Sequence, residues 1–307
     1  MSDQWRDRRE RGSRGAVRLI IWLALRTGRR FSRILLVPIC AYFFVTAPSQ
    51  RKASREFLDR ALGQKSTARD FFRHLFVFST TLLDRVYLMH DRHHELTIDV
   101  INDAALWHAL ALGRGCLLLG SHLGSFELLA IVGSTQEKLI INMVMHVDEG
   151  AQLGALIQKE TSALTYRIIP LGQPGSMLRV KECLDRGEVV GILADRVYAN
   201  EMTQRLPFLG RPARFSLSPL RLAKITGAPV VTVFGLFRGG QRYEIVFESL
   251  AGRVIDAQTG NTPVVPQPAA ANAVSLPACL ATYVQCLERQ ARRCPYNWFN
   301  FYDYWSS

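Results

Sequence analysis

Residues 116–127 read CLLLGSHLGSFE, and this stretch decides the fold class. Cys116 to Gly120 is short, apolar and closed by a glycine, the profile of a buried strand rather than of a helix. Ser125 follows as an N-cap before Phe126, Leu128, Leu129, Ile131 and Val132, which predicts a helix over 126–132. His122 then falls in a strand-to-helix turn and Glu127 in the first helical turn, able to fold back toward the ring. On one continuous helix the two side chains would point about 140° apart, so only the turn makes them a pair. An imidazole held in this way takes a proton from a hydroxyl, and helix-start amides beside it stabilise an oxyanion.

Outward from that stretch the pattern repeats. Strands are predicted at Thr97–Val100, Leu139–Met145, Tyr166–Ile169, Val189–Ala194, Val230–Leu236 and Tyr243–Phe247. Helices fall near Ala104–Leu112, Gly150–Ser162, Ser176–Asp185 and Ser218–Thr226. The alternation predicts an α/β fold, a mixed sheet flanked by helices on both faces, with its site outside the carboxyl ends of strands, where His122 lies. Helices are also expected at Ser54–Leu62, Thr67–Met89 and Pro277–Arg293, and a loop at Ser249–Leu276.

The net charge of +12 is concentrated at one end. Residues 1–60 carry 14 Lys and Arg against 5 Asp and Glu, leaving +9 there and +3 for the rest. Between the arginines stand Leu19 to Leu23, and Ile34 to Gln50 is an uncharged run of 17 residues containing Pro38. Basic residues around apolar runs describe attachment to an anionic membrane surface, and nucleic acid would not require the apolar run. The run is short for a spanning helix and is broken by proline, so a short anchor or an interfacial segment is expected. The chain divides into a membrane-anchoring segment, 1–50, helical in nature, and a catalytic domain, 51–307. Cys40, Cys116, Cys183, Cys279, Cys286 and Cys294 form no C-x-x-C and are expected as reduced structural thiols. No stretch has metal-ligand spacing, and neither a dinucleotide fingerprint nor a serine-hydrolase elbow is present.

His122 and Glu127, separated by four residues, resemble the H-x4-D/E motif of the glycerolipid acyltransferase superfamily, in the branch of the bacterial lipid A late acyltransferases. Val189–Ala194 with Asp195-Arg196, then Leu206–Ala213, then Gly227–Val231 are similar to further motifs of that branch in the same order. The closing stretch Pro295–Trp305 stands where the branch has a Trp-rich motif. It departs by ending in Asn, Asp and aromatics, and resembles acyltransferases of aryl polyene and related glycolipid pathways. A second departure is Asn142–Asp148, where the branch usually has an arginine.

The resemblance implies an acyltransferase that moves a fatty acyl group from acyl carrier protein or acyl-CoA to a hydroxyl of a lipid or glycolipid acceptor, without a bound cofactor or metal. It implies His122 as general base and Glu127 as its orienting partner. Ser125, Asp195, Arg196 and Arg211 are the expected substrate-binding residues, with Arg205 and Arg214 beside them. The implied location is the cytoplasmic face of a bacterial inner membrane. Competing readings are a lysophospholipid acyltransferase of phospholipid synthesis, which lacks support because no F-P-E-G motif is present, and a membrane adaptor that has lost catalysis.

Overall fold

The computed structural model describes residues 14–90, 92–129, 139–146, 166–198, 201–250 and 275–306. Four helices come first, α1 (Arg14–Thr27), α2 (Arg29–Thr46), α3 (Pro48–Leu62) and α4 (Ala68–Met89). Strand β1 (Thr97–Ile101), helix α5 (Ala104–Leu110) and strand β2 (Cys116–Gly120) lead to the His122 turn. Then come β3 (Ile141–His146), β4 (Tyr166–Leu171), α6 (Ser176–Asp185), β5 (Val189–Leu193), β6 (Thr203–Phe208), β7 (Arg211–Ser216), α7 (Ser218–Thr226), β8 (Val230–Gly239), β9 (Arg242–Ser249) and α8 (Leu276–Arg293).

Seven strands form one sheet in the order β1-β9-β8-β2-β5-β3-β4, parallel throughout except for the antiparallel β8–β9 pair. The mixed α/β expectation holds. Strand β2 lies at its centre, and every residue of it is buried. Alternation along the strand sends Leu117 and Leu119 into a core with Phe57, Leu58, Val180, Leu220 and Leu287, and Cys116 and Leu118 into another with Val77, Leu88, Leu106 and Ala109. Helices therefore cover both faces, which explains the continuous apolar run. Each of these leucines contributes roughly 1.5–3 kcal/mol by burial.

The expected helices at 176–185 and 218–226 appear at those bounds. Helix α4 begins with a capping box in which Thr67 and Asp70 satisfy each other's backbone amides. Ser125 makes no side-chain cap: its hydroxyl goes to Glu127, and residues 126–128 form a 3-10 turn that passes into helix at Leu129. The expected continuation to Val132, the helix at 150–162 and most of the loop at 249–276 lie outside the described residues. The hairpin of β6 and β7 was not foreseen. Its two-residue turn, Leu209-Gly210, has positive φ at both positions, which matches the twist of tight hairpins even though a leucine occupies one of them.

Helix α2 is attached through polar groups. Arg29, 3% exposed, donates from Nε and Nη2 to the two oxygens of Asp84 on α4 at 2.6 and 2.7 Å, and Tyr243 on β9 donates to the same carboxylate at 2.6 Å. Its outer face carries Phe31, Ile34, Leu35, Val37, Tyr42 and Val45, all exposed. Among the described residues no single helix is long and apolar enough to cross a membrane; α2 and α3 meet that test only as a pair bent by 97°.

Candidate active site

Strands β2 and β5 are parallel neighbours with Gly120 opposite Leu193, and each chain leaves the sheet at that level. Two residues further along each, His122 and Asp195 meet. Asp195 Oδ1 accepts from the His122 backbone amide at 3.0 Å and lies 2.8 Å from His122 Nδ1. A carboxylate oxygen only accepts, so Nδ1 carries the proton and Nε2 is left with its lone pair. The His122 side chain is 23% exposed and Asp195 fully buried, so the dyad presents its ring to the solvent side and its charge to the interior.

The charge is stabilised on all sides. Asp195 Oδ2 accepts from the Trp298 indole at 3.1 Å and from Asn300 Nδ2 at 2.8 Å, and its backbone carbonyl accepts from the Tyr304 hydroxyl at 2.8 Å. Burial alone would raise the pKa of this carboxyl; the His122 ring, the Arg196 guanidinium and the Asn300 amide outweigh it and hold it at about 2. For His122 burial lowers the pKa and Arg196 adds to the effect, while Asp195 and Glu127 oppose it, with a net shift below the ordinary 6.5. The ring is therefore neutral at physiological pH, the form a general base requires.

Glu127 stands near enough for its charge to reach the ring, yet its hydrogen bonds go elsewhere. Oε1 pairs with Arg85 Nη1 of α4 at 3.0 Å, and Oε2 accepts from Ser125 Oγ at 3.0 Å. The expected pairing of His122 with Glu127 is thus replaced, as a hydrogen bond, by His122 with Asp195. The reason is register: the strand end aims the ring at β5, whereas the 3-10 turn carries Glu127 toward α4. Two backbone amides between His122 and that turn are engaged: the Gly124 amide donates to the Asn297 carbonyl at 2.7 Å and the Ser125 amide to the Gly235 carbonyl at 2.8 Å. This close contact requires glycine at 124 and 235; a Cβ on Gly235 would run into the Ser125 carbonyl.

Of the other expected residues, Arg196 is within the site, donating from Nε to Asn300 Oδ1 at 2.9 Å with its guanidinium over the Tyr302 ring. Arg211 is not part of this cluster: it pairs with Glu56 of α3 at 2.8 Å on the surface. Arg205 and Arg214 face each other across the β6–β7 ladder, two like charges in direct opposition. Asn142, in the stretch that departs from the family pattern, is buried and donates to Glu188 at 2.8 Å. Among the described residues no group of three or more His, Cys, Asp or Glu side chains is arranged to hold a metal ion.

Sequence reading passed over the closing segment as a contributor to the site. Phe299 donates its amide to the His122 carbonyl at 2.8 Å, and Leu123 forms a bridge with Trp298. The polar residues Asn297 and Asn300 among seven aromatics were the available signal. It also passed over His74 of α4, fully buried, whose Nε2 donates to the Trp298 carbonyl at 2.9 Å, leaving Nδ1 to accept from Ser54 at 2.7 Å. Burial lowers its pKa to about 4. A neutral His74 therefore contributes stability in full above pH 6.5, and this is lost as pH falls from there toward 4. Between about pH 7.5 and about pH 5 the wild type is expected to lose about 2 kcal/mol through this group alone. Thermal melts of wild type and His74→Gln test it: the variant is expected to lose less over that interval, and parallel losses would refute the assignment.

A family model described as bacterial lipid A biosynthesis acyltransferase matches residues 14–256, which include the N-terminal helices, the His122 turn and both strands that build the dyad. No curated protein matches the chain.

Proposed function

The chain belongs to the bacterial lipid A biosynthesis acyltransferase family, and from that membership we propose that it moves a fatty acyl group from an acyl thioester to a hydroxyl of a lipid or glycolipid acceptor at a membrane surface, with His122 as general base. The observation that carries this reading is the dyad: a neutral imidazole with its Nδ1–H fixed on a buried carboxylate, at the carboxyl end of the central strand. In the proposed step His122 Nε2 takes the acceptor's hydroxyl proton as the oxygen attacks the thioester carbonyl carbon. The tetrahedral oxyanion then collapses, the C–S bond breaks, and the leaving sulfur recovers the proton from the imidazolium. Asp195 stabilises that imidazolium without itself taking the proton, an effect on the order of 10²–10⁴ in rate for positioned proton transfer. Arg196 supplies positive charge near the ring for the oxyanion or for an anionic part of either substrate. Glu127, Arg85 and Ser125 form the neighbouring wall, assigned to acceptor binding. No metal or bound cofactor is invoked, because thioester acyl transfer needs neither.

For the donor we favour acyl carrier protein over coenzyme A. Its support is the opposed Arg205 and Arg214 on the hairpin that follows the Asp195-Arg196 loop, a surface suited to an acidic helix. The reading places the enzyme on the cytoplasmic face of the inner membrane, held by the exposed apolar face of α2 and its neighbouring arginines. Mass spectrometry of lipids from cells with and without the protein is expected to show one lipid class lighter by an acyl group when it is absent. With the purified enzyme, carrier-bound acyl chains are expected to react faster than coenzyme A-bound ones, and the advantage to shrink at high salt and on reversing the charges of Arg205 and Arg214. An unchanged lipid profile would reject the activity, and equal, salt-independent rates would reject the carrier.

A further inference from the structure

We propose that Asn300 is a positioning residue for the base: by tying Asp195 to Arg196 it sets the charge surroundings in which His122 takes and returns its proton. The inference rests on the reading of His122 as the base. Asn300 is 1% exposed, with Nδ2 donating to Asp195 Oδ2 at 2.8 Å and Oδ1 accepting from Arg196 Nε at 2.9 Å. The direction of both bonds is fixed by the partners, since a carboxylate only accepts and a guanidinium only donates. A primary amide is the group that meets an anion at one end and a cation at the other within one rigid plane.

The neighbouring residue strengthens the connection. Phe299 donates its amide to the His122 carbonyl, so two consecutive residues of the closing segment hold first the loop of the base and then its acid. Among the described residues, Asp195 and Glu127 act on the His122 ring as anions and Arg196 as a cation. Asn300 touches two of the three. Removing its carboxamide while keeping its volume leaves Asp195 Oδ2 with the Trp298 indole and frees Arg196 Nε from its 2.9 Å bond. Asp195 is then held less firmly, and Arg196 opposes protonation of the ring less strongly. The rate is expected to fall and the ring to bind its proton at higher pH. An amide that merely filled space would change neither.

The test uses the full chain in lipid nanodiscs, with Asn300→Leu, Arg196→Met and the double variant. Two quantities are measured: the midpoint of the His122 ring titration by NMR, and kcat and KM for acyl transfer. The titration needs no substrate, so its outcome stands apart from the failure of the acyltransferase reading, which would appear as a wild type without activity. Asn300→Leu is expected to raise the ring midpoint by about half a unit or more and to lower kcat about tenfold, with KM changed less than about threefold. Arg196→Met is expected to raise the midpoint in the same direction, and the double variant to show less than the sum of the two shifts. A folded Asn300→Leu protein with wild-type midpoint and kcat would overturn the proposal, as would fully additive shifts. If Asn300→Leu does not fold, Arg196→Met decides: an unmoved midpoint there removes the coupling on which the proposal depends.

Discussion

Asp195→Asn is expected to lower acyl transfer by about 10³–10⁴, and Glu127→Gln by a smaller factor, about 10–10². The ranking follows from geometry. Asp195 makes two hydrogen bonds to His122, one to the backbone and one to Nδ1, and is the buried counter-ion of the ring. Asparagine keeps the size of the side chain but can present an amide N–H to Nδ1, which would select the tautomer whose Nε2 carries the proton and cannot act as a base. Glu127 acts on the ring through charge alone, while its hydrogen bonds hold Arg85 and Ser125. Kinetics of the two variants in parallel check the order. A larger loss from Glu127→Gln would restore that residue as the orienting acid and require the loop to move in the working enzyme.

Replacing Phe31, Ile34 and Val45 together by glutamate is expected to reduce binding to anionic vesicles by at least about 10³. These residues are 50%, 65% and 71% exposed and share the outward face of α2. Inserted into a bilayer surface, each would contribute roughly 1.5–3 kcal/mol, and three carboxylates in their place would be repelled by anionic headgroups. The opposite face is fixed by the Arg29–Asp84 pair, which the substitution leaves in place, so the fold is expected to persist by circular dichroism. Deleting the helix would be a poorer experiment. It would strip the buried Asp84 of its arginine, and loss of a partner from a buried pair costs about 3–5 kcal/mol. A folded triple variant that still sediments with vesicles would contradict attachment through this face.

The centre of the sheet was legible because β2 and most of β5 are buried. Cys116–Gly120 and Val189–Leu193 are unbroken apolar runs, and such runs have few alternatives in a chain with alternating helices. The hairpin of β6 and β7 was not, since Arg205, Pro207, Pro212 and Arg214 interrupt any apolar alternation and its turn places a leucine at positive φ. At the site, His122 was legible from its place just after a strand. Its partner was not, because sequence spacing favours the near carboxylate, Glu127, over one 73 residues away. What selects Asp195 is the pairing of β2 with β5 in a register that opposes Gly120 to Leu193. Neighbouring parallel strands of equal length bring the residues just beyond them together, and a linear motif does not contain that information. The same limit hid Trp298 and Asn300, which reach Asp195 only because the closing segment returns across the strand ends.

The role of His122 as the base of an acyl transfer is decided by the purified His122→Ala protein in nanodiscs, supplied with a labelled acyl thioester and a lipid extract from cells lacking the protein. The expected result is a folded, membrane-bound protein that binds both substrates and forms no labelled lipid above the level without enzyme. A folded His122→Ala protein that labels lipid at a rate near that of the wild type would contradict the account.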